Sequence, residues 1–219
     1  MFIADYIESS LLDWEGKIAC VVFLSGCNFR CPWCHNKELA EGTVRNIISV
    51  DEILQKLKDK KNWIDGFVIT GGEPTINKGL IEIISKINDY GFPVKIDTNG
   101  SMPTIIKELI ERKLVDSISM DIKSSLTKEK YNNACGVEVN LSDINHTIEI
   151  LLNSNIEVSF RTTAVPGIVD GGDIKKIFER IKGIKYIVQK FVPHNTLDKS
   201  YMNVKPYSDE DMKKMPAWR

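Results

Sequence analysis

The sequence predicts an α/β fold in which parallel strands alternate with helices. Runs rich in Val, Ile and Phe alternate with segments whose apolar residues recur at helical spacing. Because a parallel strand must be followed by a crossover connection, usually a helix, six such units imply a parallel sheet. The six runs begin near Ile18, Phe67, Val94, Ser117, Ile156 and Tyr186. An open doubly wound sheet and an incomplete (β/α) barrel both accommodate them.

The helical segments carry an apolar face or a terminal signal. Ser49 and Glu52 form a capping-box pattern at the start of the helix that carries Ile53, Leu54 and Leu57. Pro103 fits the first turn of another helix, where its missing N–H costs no hydrogen bond. The apolar faces are Ile53, Leu54 and Leu57; Leu80, Ile83, Ile84 and Ile87; Ile144, Ile148, Leu151 and Leu152; and Ile174, Ile177, Phe178 and Ile181.

Composition excludes several classes of function. The 219 residues include 29 Lys and Arg against 30 Asp and Glu, so no basic excess indicates nucleic acid or anionic lipid as a partner. The longest apolar run, residues 18–24, is far shorter than the roughly 20 residues that span a bilayer. The N-terminus has no basic start or cleavage site typical of a signal peptide. We therefore expect a cytoplasmic protein that acts away from membranes.

The chain is expected to form a single domain over residues 1–219. No internal repeat, low-complexity run or Gly/Ser-rich linker divides it. We place the core at about residues 14–195 and a C-terminal extension at about 196–219. The extension either covers the open side of a partial barrel or contacts a partner.

Polar motifs follow all six predicted strands. In α/β folds of either kind, function lies where strands end and helices begin. The sequence therefore predicts one active site at this rim. The motifs are the cysteine cluster, Thr70-Gly71-Gly72-Glu73-Pro74, Asp97-Thr98-Asn99-Gly100, Asp121-Ile122-Lys123, Arg161-Thr162-Thr163 and Pro193-His194-Asn195.

Three of the five cysteines, Cys27, Cys31 and Cys34, lie within eight residues of one another. An odd count without an export signal indicates a reducing compartment, where close cysteines favour metal or redox chemistry. A c-type haem attachment or a thioredoxin-like pair leaves Cys27 without a role. A zinc site usually needs a second ligand pair, which is missing. Three thiolates can instead bind three irons of a 4Fe–4S cluster and leave the fourth iron open for substrate.

The spacing Cys27-x3-Cys31-x2-Cys34, with Trp33 before the last cysteine, resembles the signature of radical S-adenosylmethionine (SAM) enzymes. The similarity covers nearly the whole chain, and the six units resemble the incomplete (β/α)6 TIM-like barrel of that superfamily. Within it the chain is similar to the activases of glycyl-radical enzymes. These motifs are Cys34-His35-Asn36, Asp97-Thr98-Asn99-Gly100, Asp121-Ile122-Lys123, Val165-Pro166-Gly167 and Pro193-His194. The stretch Leu11-Leu12-Asp13-Trp14-Glu15-Gly16-Lys17 is similar to the branch of anaerobic ribonucleotide reductase activating proteins.

The resemblance implies a cofactor set and a reaction. Cys27, Cys31 and Cys34 would bind one 4Fe–4S cluster, with SAM on the open iron. Reductive cleavage of SAM would give a 5′-deoxyadenosyl radical, which takes hydrogen from a backbone glycine of a partner enzyme under anaerobic conditions. The electron would come from reduced flavodoxin or ferredoxin. The implied SAM-binding residues are Trp33, Gly71, Gly72, Glu73, Asp97, Asp121, Ile122, Lys123, Arg161 and His194.

Simpler alternatives stay open for single residues. Glu73 could be an exposed loop carboxylate, and Asp97, Asp121 and Lys123 could form strand-end ion pairs. The side to which Arg161 points is undetermined, and a surface ion pair is its alternative. Further alternatives are that Trp33 packs the loop and that Gly71-Gly72 is an ordinary turn. We interpret Cys20 and Cys135 as inert thiols and His35 as a packing or hydrogen-bonding residue.

Two other functions remain for the whole chain. One is a small-molecule radical SAM enzyme of the 7-carboxy-7-deazaguanine synthase type, with Mg²⁺ and a substrate in the barrel mouth. The other is a non-enzymatic iron–sulfur or zinc protein.

Overall fold

The computed structural model describes residues 2–44, 47–181 and 183–218. The first and last residues of the predicted domain, Met1 and Arg219, lie outside them. One mixed sheet contains the strands β2 (Asp5–Ser10), β3 (Ala19–Leu24), β5 (Gly66–Gly71), β6 (Val94–Thr98), β7 (Ser117–Asp121), β8 (Glu157–Ala164) and β9 (Lys185–Lys190). A second, two-stranded antiparallel sheet pairs β1 (Phe2–Ile3) with β4 (Ile48–Ser49).

The strand order of the large sheet is β2-β3-β5-β6-β7-β8-β9, and the six strands from β3 onward are parallel. These six are the predicted strands, so the prediction of a parallel sheet is confirmed. The order ends at β2 and β9, so the sheet is not closed. The sequence prediction did not include β2, which pairs antiparallel with β3.

Eight helices connect or flank the strands within the described residues. They are α1 (Lys37–Glu41), α2 (Val50–Leu57), α3 (Leu80–Asp89), α4 (Pro103–Glu111), α5 (Lys128–Cys135), α6 (Leu141–Leu152), α7 (Gly171–Arg180) and α8 (Asp209–Lys213). The capping box of Ser49 and Glu52 is present at α2, and Pro103 begins α4. Phe178 is a correction: its side chain is 47% exposed, because it lies at the edge of the α7 apolar face.

The helices pack against one face of the sheet, as in a barrel, rather than against both. Buried residues of α2, α3, α4, α6 and α7 share one core with the strand residues that alternate outward, such as Val22, Ile69, Ile96 and Phe160. This arrangement leaves the other face to line an interior. Apolar side chains therefore form the outer layer, whereas the inner face is apolar around Trp14 and polar at Asp97, Asp121 and Arg161.

Trp14 closes the barrel interior at the amino ends of the strands. Its ring is almost completely buried and packs with the inner residues Ala19, Val21 and Val68. Its indole Nε1 donates to Glu157 Oε2 at 3.1 Å, which joins the loop before β3 to the start of β8. The interior is therefore closed at the amino ends of the strands and accessible at their carboxyl ends.

The C-terminal segment runs along the edge of β9. Val188 forms an isolated parallel bridge with Trp218, and Lys190 Nζ lies 2.6 Å from Asp209 Oδ1. This segment thus borders one side of the unclosed sheet. No helix in the described part of the chain is both long and apolar enough to cross a membrane.

Candidate active site

A cavity of about 420 Å³ lies at the carboxyl ends of the parallel strands. Most of the residues that the sequence analysis placed at a site line it together. These are Cys27, Cys31, Trp33, Cys34, Gly71, Gly72, Glu73, Asp97, Asp121, Lys123 and Arg161. A volume of several hundred cubic ångströms is typical of sites for small ligands and cofactors.

The cysteine loop is fixed by main-chain hydrogen bonds on both sides. Gly26 N donates to Leu39 O at 2.7 Å, which ties the entry of the loop to α1. Phe29 N donates to Cys27 Sγ at 3.3 Å and orients that sulfur. Cys34 N donates to Cys31 O at 3.0 Å, so a tight turn presents the last two thiols.

The C-terminal extension supports the same loop from outside. Leu197 N donates to Cys34 O at 2.9 Å, and Asp198 N donates to Pro32 O at 2.8 Å. His35 lies beside Val192 O, with its Nε2 2.8 Å away. The His35 ring stacks on Phe191, in agreement with the expected packing and hydrogen-bonding role. Residues 197–198 are therefore part of the structure that positions the cysteines.

Gly71 and Gly72 bring the β5 loop against the cysteine loop. Gly71 has φ +116°, and a Cβ on either glycine would come within 3.0 Å of backbone, at Leu24 or Gly26. Glu73 N donates to Gly26 O at 2.8 Å. These contacts require glycine, because any side chain would separate the two loops. An ordinary Gly-Gly turn does not require this close contact.

Glu73 is buried, with only 1% of its surface exposed, and its carboxylate accepts four hydrogen bonds. Its Oε1 accepts from Thr75 N at 3.0 Å, from the Thr75 hydroxyl and from Thr98 Oγ1 at 2.7 Å. Its Oε2 accepts from Asn99 N at 2.6 Å. The exposed loop carboxylate is thus wrong as an alternative. Glu73 joins the loops after β5 and β6, and burial raises its pKa despite these donors.

A chain of alternating charges crosses the inner face of the sheet. Lys95 Nζ lies 3.2 Å from Asp97 Oδ1, and Arg161 donates to Asp97 Oδ2 and to Asp121 Oδ1, each at 2.9 Å. Lys123 Nζ lies 3.3 Å from Asp121 Oδ2. Arg161 therefore points into the interior, which settles the side that the sequence left undetermined. The strand-end ion pairs offered as the alternative are present, and they line the cavity.

These charges set the protonation states of their partners. Burial would raise the pKa of Asp121, but Arg161 and Lys123 lower it to about 2. The pKa of Arg161 is raised, since burial is outweighed by the two carboxylates. Both groups are therefore charged at neutral pH, and the cavity carries fixed cationic side chains beside the cysteine loop.

Trp33 and Lys123 face each other at the cavity wall. The Lys123 ammonium lies 5.3 Å from the centre of the Trp33 ring. Trp33 Nε1 is buried without a hydrogen-bond partner among the described residues. The ring thus forms part of the wall, with one face toward a cation.

Two predicted site residues lie outside the cavity. Ile122 is buried, and its main chain bridges β7 and β8 through Arg161 O and the Thr162 hydroxyl. His194 is exposed, and its N–H donates to Val192 O at 2.9 Å.

The sequence analysis placed Thr163 at the rim but missed other residues of the cavity wall, among them Gln189. The pairing of Gln189 with Thr163, two residues after Arg161 on β8, puts its side chain on the same face as Arg161. Asn28 was also missed: its Oδ1 accepts from Asn99 Nδ2 at 2.9 Å and so ties the cysteine loop to the β6 loop. No local pattern indicates that long-range contact.

Comparison with known proteins agrees with this geometry. The model of a family described as the Radical SAM superfamily matches residues 21–196. The chain belongs to the radical SAM superfamily.

Relatives with similarity over most of the chain include activating enzymes. The chain is 34% identical over 218 residues to a Methanocaldococcus jannaschii protein named as a glycyl-radical enzyme activating enzyme, covering 97% of this chain and 89% of that protein. It is 29% identical to the pyruvate formate-lyase-activating enzyme of Clostridium pasteurianum, with 87% and 81% covered.

A solved structure shows the same fold. Coproporphyrinogen III oxidase from Escherichia coli, a radical SAM enzyme, superimposes with a TM-score of 0.57 at 15% identity, over 89% of this chain and 49% of that one. This confirms the predicted incomplete (β/α)6 barrel.

Radical SAM enzymes use a 4Fe–4S cluster and SAM, and the residues of the cavity fit both. Cys27, Cys31 and Cys34 share one cavity wall. Among the described residues, no three His, Cys, Asp or Glu side chains converge on a position for one metal ion. A zinc ion needs every thiolate about 2.3 Å from one centre, whereas each protein thiolate on a cluster binds a different iron. Burial raises the pKa of Cys27 to about 11, so metal binding would displace its proton.

Proposed function

We propose that this radical SAM enzyme is an activase that produces a glycyl radical on a partner enzyme. The observation that carries the proposal is the convergence of three cysteines, the Gly71-Gly72 loop and a charged inner wall on one cavity of an unclosed barrel. The similarity to activating enzymes over nearly the full chain supports the choice of reaction.

Cys27, Cys31 and Cys34 are the proposed cluster ligands, and the fourth iron is left for SAM. A 4Fe–4S cluster bound there supplies the electron that cleaves SAM to methionine and a 5′-deoxyadenosyl radical. The barrel interior around this site is closed below by Trp14. Such enclosure keeps water and other hydrogen donors away from a reactive radical.

The chain's own residues would bind and orient SAM by charge and shape. Gly71 and Gly72 expose main chain to the cavity, where it can approach the amino end of SAM. Lys123 and Arg161 offer cationic groups to its carboxylate, although Arg161 is already shared by Asp97 and Asp121. Trp33 offers a ring face to adenine. Asp97 faces the ribose or a cation beside SAM, and Ile122 and His194 would assist from the rim.

Glu73 acts differently in this proposal from the role implied by the resemblance. Four hydrogen bonds already occupy its carboxylate, two from Thr75 in the same loop and two from Thr98 and Asn99 at the end of β6. We infer that Glu73 fixes the loop that meets SAM rather than accepting from the SAM ammonium as its main task.

The proposed protein substrate is an anaerobic ribonucleotide reductase, with reduced flavodoxin or ferredoxin as electron donor. A buried cluster and oxygen-sensitive chemistry fit a reducing, anaerobic cytoplasm. The near-zero net charge indicates that the partner's glycine loop is recognised by shape more than by bulk charge.

The test is a radical assay with the full chain. The protein is reconstituted anaerobically with iron and sulfide, reduced with dithionite and mixed with SAM. The sample is divided, with and without an anaerobic ribonucleotide reductase from the same organism. We expect 5′-deoxyadenosine in both samples and a glycyl doublet by electron paramagnetic resonance only with the reductase.

The outcomes separate the alternatives. Absence of 5′-deoxyadenosine would contradict any radical SAM activity. Cleavage without a doublet, together with turnover of a small molecule that requires Mg²⁺, would favour an enzyme of the 7-carboxy-7-deazaguanine synthase type. A doublet with pyruvate formate-lyase but not with the reductase would keep the activase and replace its partner.

A further inference from the structure

Lys95 is a buried lysine on the inner face of the barrel. It lies two residues before Asp97 on β6, so both side chains point to the same face of the sheet. Its register partner on β5 is Val68, which packs with Trp14 at the closed end of the interior. Lys95 is 7% exposed and is not among the described residues that line the cavity, whereas Asp97 is. Lys95 therefore meets Asp97 from the side opposite to the cavity.

The two carboxylate oxygens of Asp97 have different partners. Oδ2 accepts from Arg161 Nη1 at 2.9 Å. Oδ1 is buried, accepts no hydrogen bond from the described residues, and lies 3.2 Å from Lys95 Nζ. The Lys95 ammonium donates to Asp13 O, and an ammonium carries three N–H donors. A second N–H can therefore turn to Oδ1 while the bond to Asp13 is kept.

Lys95 adds a positive charge that the other ion pairs of the wall do not require. Arg161 bridges Asp97 and Asp121. Lys123 also pairs with Asp121, so two cations already face two carboxylates. A third buried cation is costly unless an anion compensates it. Arg161 and Lys123 line the cavity, so the carboxylate of a bound ligand can supply that anion there.

We propose that Lys95 is a positioning residue for SAM: it compensates Asp97, so that the Arg161 guanidinium can turn from Asp97 to the SAM carboxylate. The inference rests on the proposed SAM site. Arg161 keeps its bond to Asp121, from Nε at 2.9 Å, and so stays at the cavity wall while it turns. Lys95 then donates to Asp97 Oδ1. Without Lys95 the same movement leaves a buried carboxylate uncompensated, which opposes it.

A purely structural role for Lys95 predicts a different result. Its bond to Asp13 O joins β6 to the loop before β3. Loss of that bond lowers the stability of the fold but does not act through the charge of Asp97. The two roles are therefore separated by a variant that keeps the bond to Asp13 and removes the charge.

The test measures SAM binding to the full chain by calorimetry, after anaerobic reconstitution and without reductant or partner. The variants are Lys95→Gln, Asp97→Asn and the double variant. Glutamine keeps an N–H donor for Asp13 O and removes the positive charge. Iron content per chain and urea unfolding are recorded for every protein.

Lys130→Met is the matched control. Lys130 Nζ lies 2.6 Å from Oδ1 of Asp173, whose side chain is 1% exposed. Neither residue belongs to the described residues that line the cavity. The control thus also removes a lysine from a buried aspartate, but elsewhere in the chain. It should lower stability and leave the dissociation constant for SAM unchanged.

We expect the dissociation constant for SAM to rise about tenfold in Lys95→Gln, the size of one lost hydrogen bond between charged groups. In the Asp97→Asn background the same substitution should change the constant by less than about twofold, because no carboxylate is left to compensate. In the cleavage assay, the KM of Lys95→Gln for SAM should rise by the same factor as the dissociation constant, with kcat near wild type.

An unchanged dissociation constant in Lys95→Gln would overturn the proposal. A tenfold effect that persists in the Asp97→Asn background would also overturn it, since Lys95 would then act without Asp97. Equal weakening in Lys130→Met would assign the effect to stability alone. If Lys95→Gln does not fold by itself, folding of the double variant with the SAM affinity of Asp97→Asn supports the proposal, and a weaker affinity contradicts it.

The proposed activase and this inference fail in different ways. A missing glycyl radical contradicts the activase and leaves the dissociation constants for SAM unchanged. If wild type with full iron content does not bind SAM, the proposed SAM site is contradicted and the role of Lys95 falls with it.

Discussion

Arg161 lies between Asp97 and Asp121 and donates to a carboxylate oxygen of each at 2.9 Å. The three residues come from three adjacent parallel strands, and Asp121 is the direct register partner of Arg161. One guanidinium thus bridges two carboxylates on the inner face of the barrel, and Lys95 and Lys123 supply the remaining positive charge. This charged part of the cavity wall forms because the adjacent strands β6, β7 and β8 place the three side chains next to one another.

Replacing Arg161 by Met should destabilise the fold by about 2 kcal/mol. Removing one partner of a buried pair leaves charge uncompensated, which typically costs 3–5 kcal/mol, but Lys95 and Lys123 remain to share the two carboxylates. Urea unfolding measures the change. The control is Arg112→Met, whose exposed pair with Glu108 should contribute less than about 1 kcal/mol. Equal effects at both positions would contradict a special role for Arg161.

The advantage of wild type over Asp121→Asn should depend on pH. The pKa of Asp121 is about 2 in the folded chain and about 3.9 when unfolded. A lowered pKa stabilises the folded state above the unfolded value, and this contribution is lost as pH falls from about 4 to 2. Unfolding free energies of both proteins between pH 2 and 6 provide the test. A difference that stays constant over this range would disagree with an ion-paired Asp121.

Glu73→Gln should lower the stability of the fold and weaken SAM binding, although in our proposal Glu73 makes no essential contact with SAM. A carboxylate accepts from four donors here, whereas a glutamine amide would turn two N–H groups toward donors. We expect a loss of about 2 kcal/mol in stability and weaker SAM binding by calorimetry. Glu82→Gln, at an exposed position on α3, is the control. If SAM binding falls while stability is unchanged, Glu73 contacts the ligand directly.

Much of the fold could be predicted because the strands are short and rich in apolar, often β-branched residues, and four of the six parallel strands are buried on both faces. β2 was missed although its exposure alternates regularly, because its residues are mostly polar. α5 was missed for a related reason: its sequence KEKYNNAC has little apolar periodicity. The rim position of the site followed from topology. The hydrogen bonds of Glu73 to the β6 loop, of Trp14 to Glu157 and of Arg30 to Cys135 join residues far apart in sequence, and no local pattern encodes them.

Gly72→Ala should prevent stable cluster assembly while the barrel stays folded. A methyl group at this position would meet the Gly26 carbonyl and the Cys27 nitrogen, so the two loops must separate. Separation removes the Glu73 N to Gly26 O hydrogen bond and moves Cys27 away from Cys31 and Cys34. The measurements are iron content per chain after reconstitution and the visible absorption of the cluster. Gly171→Ala is a matched control, because its Cβ would meet no atom within 4 Å. Circular dichroism should be unchanged for both variants, and full iron content in Gly72→Ala would show that the cluster does not need the close approach of these loops.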